Sequence, residues 1–362
     1  MPQPYLPQSL PLTTVNWSKH VALIGKANGA VARFDGLLQS MTNPLVLLSP
    51  LTTQEAVLSS KIEGTQASLN EVLQYEANPK QEQDRIQDII EVLNYRNAMQ
   101  FAVKEMEKVP LSLRIMREMH KILMKHVRGA QQAPGEFREI QNWIGKPGSP
   151  IEVATYVPPP PNAVNDLIGN LEKYIHTEEQ DPLVQLAILH AQFEMIHPFL
   201  DGNGRIGRIL IPLFLYHKKV LSEPMFYISA YFEAHRDEYY DKLLAVSSAR
   251  DWNNWIEYFL RATLEQANKN IEKAKAIHSL YEREKTNVEE LTRSHYAIRI
   301  LDFLFKKPVF RLGDFVKGTR VKRNSAHSLL SKLAKGNVLR TVPSKGRVGN
   351  TYLFGELLDI VQ

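Results

Sequence analysis

Twelve residues near the middle of the chain, His-Pro-Phe-Leu-Asp-Gly-Asn-Gly-Arg-Ile-Gly-Arg from His197 to Arg208, bring together the parts that phosphoryl or nucleotidyl transfer needs. His197 can accept a proton near neutral pH. Asp201 offers a hard oxygen ligand of the kind Mg²⁺ takes together with phosphate oxygens. Gly202, Asn203 and Gly204 let the backbone approach a ligand closely, and their N–H groups open a helix whose dipole favours anions. Arg205 and Arg208 stand three apart, so they share a helix face and can clamp a polyphosphate. Each piece alone has an ordinary structural reading, such as a helix–helix turn or a solvated arginine face. Their coincidence in one stretch points to a phosphate site, and the absence of Gly-x-x-x-x-Gly-Lys-Ser/Thr excludes a P-loop as its origin.

These residues must be positioned by helices. Apolar residues at Ile86, Ile89, Ile90, Leu93 and Met99 predict a helix over 84–108, and Ile115, Met119, Ile122 and Leu123 predict another over 111–127. Asp181-Pro182 reads as an N-cap with proline at the first helical position, opening an apolar helix over 183–196. A further helix starts near Asn203 and is expected to kink at Pro212. Another runs over 251–281, its polar end at 265–275 serving as a connector. Between 137 and 161, Gly135, Gly145, Pro147, Gly148 and Pro150 punctuate two β-prone runs, 141–144 and 151–157, which predicts a β-hairpin. Thr52-Thr53-Gln54-Glu55 reads as a capping box for a helix running to Glu63 and stopping at Gly64. A glutamate in that last turn faces the negative end of the helix dipole, a local misfit that calls for a tertiary partner.

The chain has 362 residues, 44% hydrophobic and 23% charged, enough for two or three globular units. It has no cysteine, which excludes disulfides, thiolate metal sites and cysteine nucleophiles and suits a reducing cytoplasm. Neither a signal peptide nor a membrane span is expected. The net charge of +5 is uneven: residues 291–355 carry 14 Lys+Arg against 2 Asp+Glu, a net +12 that leaves −7 for the remainder. In that segment short helices over 296–305, 311–317 and 324–335 precede two strands, 338–342 and 351–354, around a loop at 343–350. This is the pattern of a winged helix-turn-helix.

His197 to Arg208 matches every fixed position of the signature His-x-Phe-x-Asp/Glu-Gly-Asn-Gly/Lys-Arg-x-x-Arg, and over roughly residues 52–260 the chain resembles the Fic family. The resemblance implies a mainly α fold: a Fic-type helical core with a β-hairpin flap, followed here by the small C-terminal winged helix-turn-helix. It implies an ATP- and Mg²⁺-dependent protein adenylyltransferase. His197 would deprotonate a Ser, Thr or Tyr hydroxyl of a target protein, and Asp201 would bind Mg²⁺. Gly202, Asn203, Gly204 and Arg205, with Gly207 beside them, would hold the α- and β-phosphates, and Arg208 the γ-phosphate. Val153, Ala154, Thr155 and Tyr156 would lie on the flap and align the target by strand addition. Tyr239-Tyr240 resembles a tyrosine pair packing near adenine, although Ser247-Ser248 stands where some relatives have asparagine. Ser59-Ser60-Lys61-Ile62-Glu63-Gly64 is similar to the family's inhibitory motif Ser/Thr-x-x-x-Glu-Gly/Asn. Through Ser59, Glu63 and Gly64 it implies a salt bridge from Glu63 to Arg208 that blocks productive ATP, and in some relatives this glutamate also serves removal of AMP. Related proteins often form homodimers.

Residues 1–110 are thus expected to form a helical region with the inhibitory helix, 111–285 the catalytic core and 290–358 the winged helix. Two other functions stay open on the sequence: a phosphotransferase on the same fold, and a nucleotide-responsive DNA-binding regulator. The basic module has two readings as well. It binds DNA, with 324–335 in the major groove and Lys345 and Arg347 on phosphate, or it serves protein docking or dimerisation.

Overall fold

The computed structural model describes residues 3–79, 85–127, 129–146, 148–343 and 349–362. Pro147, Lys345 and Arg347 lie outside the described residues, as does the start of the helix expected from residue 84. The fold is mainly helical. The helix Pro182–Ile196 sits at its centre, with Leu186, Ile188 and Phe193 fully covered by neighbours on all sides. A helix apolar all round has no solvent face to offer, so it must be a core element. Around it pack Pro161–His176, Asn203–His217, Arg236–Ala249 and the long helix Trp252–Thr292. Trp255 fixes one of these contacts by donating its indole N–H to the carbonyl of Ala187 at 2.7 Å.

The Asp181 cap has the expected form. Its carboxylate accepts from the amides of Leu183 and Val184, each at 2.9 Å, with Pro182 in the first turn. Ile86–Met106 packs on Leu113–Leu123, each a few residues shorter than its apolar repeat suggests. Asn203–His217 continues through Pro212. The long helix corrects a sequence expectation: it does not end at 281. It keeps a buried stripe at Ala267, Asn270, Ala274, Ile277 and Leu280 and runs unbroken to Thr292, 41 residues in all. Spacings of three and four residues on a polar background are enough to bury one face. The sequence reading also passed over Trp17–Ser40, which lies along the long helix.

Two further expectations fail. The helix Ser49–Ile62 has Pro50 in its first turn, so Thr52 to Glu55 lie inside it and form no capping box. Thr52 instead meets Tyr227 (3.3 Å between their oxygens), and buried Glu55 accepts from the amide and hydroxyl of Ser229 at 3.0 and 2.6 Å. Nor do 141–144 and 151–157 form an extended hairpin. They meet at one bridge, Ile144 with Tyr156, while Ile151–Val153 is a short 3₁₀ turn. Pro150 before the run and Pro158 to Pro161 after it lack the N–H groups a ladder would need.

In the C-terminal region the order is helix Ala297–Lys306, strand β1 (Val309–Arg311), helices Leu312–Thr319 and Arg323–Lys335, then β2 (Arg340–Val342) and β3 (Thr351–Leu353). The three strands form an antiparallel sheet in the order β1-β3-β2. β1 and the closing helix Gly355–Val361 were not anticipated; three-residue strands and a seven-residue helix carry too little periodicity to be read. Helices Ala297–Lys306 and Gly355–Val361 pack against Ser49–Ile62. None of the described helices is long and apolar enough to cross a membrane.

Replacing Asp181 by alanine should lower stability by about 0.5–2 kcal/mol, with Asp181→Asn closer to wild type, because two amides at the head of the central helix lose their acceptor. Urea denaturation followed by circular dichroism measures this as a shift in midpoint at constant slope.

Candidate active site

The loop between the central helix and Asn203–His217 is held from three sides. His197 caps the central helix in a left-handed conformation (φ 49°), its amide donating to Phe193 O at 3.0 Å. Asn203 locks the turn: its side-chain oxygen accepts from Phe199 N and its amide donates to Phe199 O, both at 2.8 Å. Gly202 adopts φ 76°, a region open to glycine. A Cβ there would also press on Met124 Sδ at 3.1 Å and Leu123 Cδ2 at 3.3 Å. His120 stacks on Phe199 with ring centroids 3.8 Å apart. The amide of Gly135 donates to His120 Nδ1 at 2.8 Å, so Nε2 carries the proton and donates to Asp201 O at 2.9 Å. Arg138 donates from Nε to the carbonyl of His197 at 2.9 Å.

A cleft of about 720 Å³ opens above this loop, within the usual range for small-molecule sites. From the motif, His197, Asp201, Gly204 and Arg208 line it; Glu63 enters from the end of the helix Ser49–Ile62, and Thr155 and Tyr156 from the bridged segment. Other expected residues take different places. Arg205 is buried behind the cleft, 3.4 Å from Glu91 and 3.6 Å from Asp201. The Asn203 side chain is committed to Phe199, so toward the cleft its segment presents backbone N–H groups. Gly207 leaves room for the Glu194 carboxyl, which a Cβ would strike. Val153 is 65% exposed and does not line the cleft. The tyrosines divide: Tyr239 is buried among Phe232, His190 and Trp255, while Tyr240 is 39% exposed at the rim. Ser247 lines the cleft; both Ser247 and Ser248 donate to Leu244 O at 2.9 Å.

Arg208 is 1% exposed. It donates from Nε to Ser59 Oγ at 2.8 Å, and from Nη2 to Ser59 O at 2.9 Å and Glu63 Oε1 at 2.7 Å. Ser59 and Glu63 can both reach it because they are one helical turn apart. Glu63 follows the last helical residue and Gly64 turns the chain away at φ 96°. A Cβ at Gly204 would collide with the Glu63 carboxylate, so glycine there makes the ion pair sterically feasible. Burial would raise the Glu63 pKa, but the charge and hydrogen bond of Arg208 outweigh it and hold the carboxyl below its usual range.

His197 Nδ1 lies 3.2 Å from Glu194 O. A carbonyl only accepts, so Nδ1 carries the proton and Nε2 keeps its lone pair. Burial pushes this imidazole down to about 4, which keeps it neutral and able to accept a proton at pH 7. His190 relays between Gly207 O (3.2 Å) and Tyr239 Oη (2.8 Å), and burial lowers it to about 3. Glu194 has a buried oxygen without a hydrogen-bond partner among the described residues, and burial raises it to about 8. Arg138, His120, His190 and Glu194 escaped the sequence reading. A lone arginine in a Gly/Pro-rich stretch has no periodicity, and histidine or glutamate on an apolar helix looks like core.

Among the described residues no group of three or more His, Cys, Asp or Glu is placed to hold a metal. Asp201, whose side chain is 42% exposed beside the cleft, fits a Mg²⁺ ion arriving with phosphates, since that ion needs only one or two carboxylates.

Residues 21–104 match the family described as Fic/DOC family N-terminal, and residues 110–215 match the Fic/DOC family. A probable protein adenylyltransferase of Aquifex aeolicus is 41% identical over 70 residues, 19% of this chain and 22% of that protein. The protein adenylyltransferase Fic of Drosophila grimshawi is 30% identical over 125 residues, 33% of this chain and 24% of that protein. The chain thus spans about a quarter of the length of the curated relatives it matches. A solved Fic family protein from Desulfovibrio desulfuricans superposes with a TM-score of 0.60 at 18% identity, covering 96% of this chain and 98% of that one. A Fic-domain signaling protein from Bacteroides thetaiotaomicron gives 0.52 at 17% identity, covering 70% and 97%. These structural likenesses concern the fold.

Folded protein keeps a proton on Glu194 up to about pH 8, whereas an unfolded glutamate releases it near 4.5. Over that interval the folded state binds more protons, so the Glu194 contribution to stability falls as pH rises. Wild type and Glu194→Gln should therefore denature at similar urea concentrations near pH 5 and diverge toward pH 9, with Glu194→Gln the more resistant. Parallel midpoints across that range would show that Glu194 titrates normally.

Proposed function

The chain belongs to the Fic/DOC family, and from that premise we propose that it is a protein adenylyltransferase moving AMP from ATP to a Ser, Thr or Tyr hydroxyl of a target protein. The observation that carries this reading is the conjunction at one cleft of a neutral His197 with its Nε2 lone pair free, the helix start at Asn203 and the buried guanidinium of Arg208. In the reaction, His197 Nε2 takes the proton of the target hydroxyl. The hydroxyl oxygen forms a bond to the α-phosphorus. The bond from that phosphorus to the bridging oxygen breaks, and pyrophosphate leaves with the electron pair. Backbone N–H groups of Asn203, Gly204 and Arg205 stabilise the phosphates, and Arg208 takes the γ-phosphate. Asp201 would hold Mg²⁺, which when bound supplies positive charge to the α- and β-phosphates. Thr155 and Tyr156 stand where a target segment would pass, and of the two tyrosines lining the cleft Tyr240 is the more exposed to adenine.

Glu63 acts as a brake in this reading. While it occupies Arg208 Nη2, the γ-phosphate lacks its counter-charge and ATP cannot bind in the productive pose. The reading puts the inhibitory region in residues 1–110, the core in 111–285 and the winged helix in 290–358. A DNA role for the winged helix is supported by the exposed face of Arg323–Lys335. That face shows Arg323, Asn324, Ser328 and Lys335 with no acidic residue on the helix, and Arg320 is exposed just before it. Phosphate contacts of this kind release counterions, so binding would weaken steeply with salt.

Intact-mass spectrometry after incubation with ATP and Mg²⁺ tests the chemistry. Glu63→Gly should gain one or more AMP units, wild type fewer, and Glu63→Gly/His197→Ala none. A phosphate-sized gain would instead identify a kinase. For the basic face, Arg323→Ala/Lys335→Ala should weaken duplex DNA binding at low salt; equal binding by wild type and variant would assign that face another role.

A further inference from the structure

The central helix ends in carbonyls that no following helical turn can satisfy. Five successive carbonyls, from Met195 in its last turn to Phe199 in the loop beyond, each accept from a single other segment of the chain. Tyr156 Oη donates to Met195 O at 2.7 Å. Arg138 Nη2 reaches Ile196 O at 3.3 Å, Arg138 Nε reaches His197 O at 2.9 Å, and the Arg138 amide donates to Pro198 O at 2.9 Å. Asn142 Nδ2 donates to Phe199 O at 3.0 Å. Arg138 also grips both feet of the bridged segment, donating from Nη2 to Pro159 O at 2.6 Å and from Nη1 to Ile140 O at 3.4 Å. Its side-chain hydrogen bonds among the described residues all end on neutral carbonyls, although the residue is only 3% exposed. A buried arginine spent on carbonyls on two sides of a joint is arranged to fix their relative placement, because its planar fork sets direction as well as distance.

We propose that Arg138 is the positioning residue for His197, joining the target-aligning segment 140–159 to the catalytic loop so that the base and the target's docking edge move as one body. The inference rests on the adenylyltransferase reading for its consequence in rate, while its geometric content stands apart from that reading. Any shift of the bridge at Ile144 and Tyr156 that accompanies docking is carried through Arg138 to the carbonyl of His197, whose left-handed backbone gives the ring little freedom of its own. The groups facing the imidazole agree with this placement. Glu63 and Asp201 favour its protonation, while Arg138 is the positive charge that opposes it.

The test uses the full chain with the Glu63→Gly change as parent, comparing Arg138→Lys, which keeps the charge but loses the fork, and Arg138→Met, which loses both. Three quantities are read: ATP affinity by calorimetry, AMP transfer at saturating ATP, and the His197 titration by NMR of ¹⁵N-histidine. ATP affinity should stay within about threefold of the parent, since the phosphate contacts are elsewhere. Transfer should fall roughly 10- to 100-fold in Arg138→Met and less in Arg138→Lys, the size expected for a base displaced by up to about an ångström. The His197 titration should move to higher pH in Arg138→Met and stay near the parent in Arg138→Lys. Parent-like transfer in Arg138→Met would overturn the proposal, whether or not the titration moves. Should the parent itself transfer nothing, the adenylyltransferase reading fails, and the His197 tautomer read from the same ¹⁵N spectra decides the positioning: loss of the Nδ1-protonated form in Arg138→Met upholds it, and the parent's tautomer overturns it. Should Arg138→Met not fold, Arg138→Lys carries the decision: lowered transfer with unchanged ATP affinity upholds the proposal, and parent-like transfer overturns it.

Discussion

An arginine that is 1% exposed cannot be left to water, and much of this structure follows from supplying Arg208 with acceptors. Removing a guanidinium from solvent is tolerable only when its N–H groups are matched and its charge is opposed. Ser59 and Glu63 do both, from one side of one helix. That requires the helix Ser49–Ile62 to end where it does, Gly64 to turn the chain, and Gly204 to leave space for the carboxylate. The helix in turn needs support along its length. Glu55 anchors it to Ser229, and Ala297–Lys306 and Gly355–Val361 pack against it. One buried charge thereby ties the N-terminal region, the core and the C-terminal module to a common geometry.

The helical class, several of the main helices and the motif at the cleft were legible in the sequence, because each rests on a local regularity; Trp17–Ser40, Pro161–His176 and Arg236–Ala249 were not. Asp181-Pro182 marks a helix start through chemistry confined to four residues, and the central helix could be read from its composition. The long helix was cut short at 281 because the buried stripe beyond it rests on Glu284, Val288 and Thr292, two of them polar. The expected capping box was a pattern overridden by tertiary contacts, with Glu55 drawn to a serine 174 residues away. The hairpin failed for the opposite reason: β-prone residues were present, but the prolines around them removed the donors a ladder requires.

Within the site, the sequence indicated residues by type and spacing, and the structure assigns them unequal places. Arg205 and Arg208 look equivalent three positions apart, yet one pairs with Glu91 behind the cleft and the other lines it. Adjacent Tyr239 and Tyr240 separate because neighbours on a helix point about 100° apart, sending one ring to the core and the other to the rim. Arg138, His120, His190 and Glu194 were illegible because their roles depend on partners distant in sequence, on carbonyls or in confined space. Such residues orient chemistry without belonging to any motif.

The tether between Glu63 and Arg208 also changes what a binding measurement on this protein means. An anion approaching Arg208 does not meet an empty charge; it displaces a carboxylate held on the same chain. That rival is never diluted, and a covalently linked partner of this kind acts at an effective concentration on the order of millimolar or more. The apparent affinity of any ligand at this position is therefore the ratio of two affinities. Changes in the stiffness of the helix Ser49–Ile62, far from the cleft, shift that ratio with no alteration to the contacts the ligand makes.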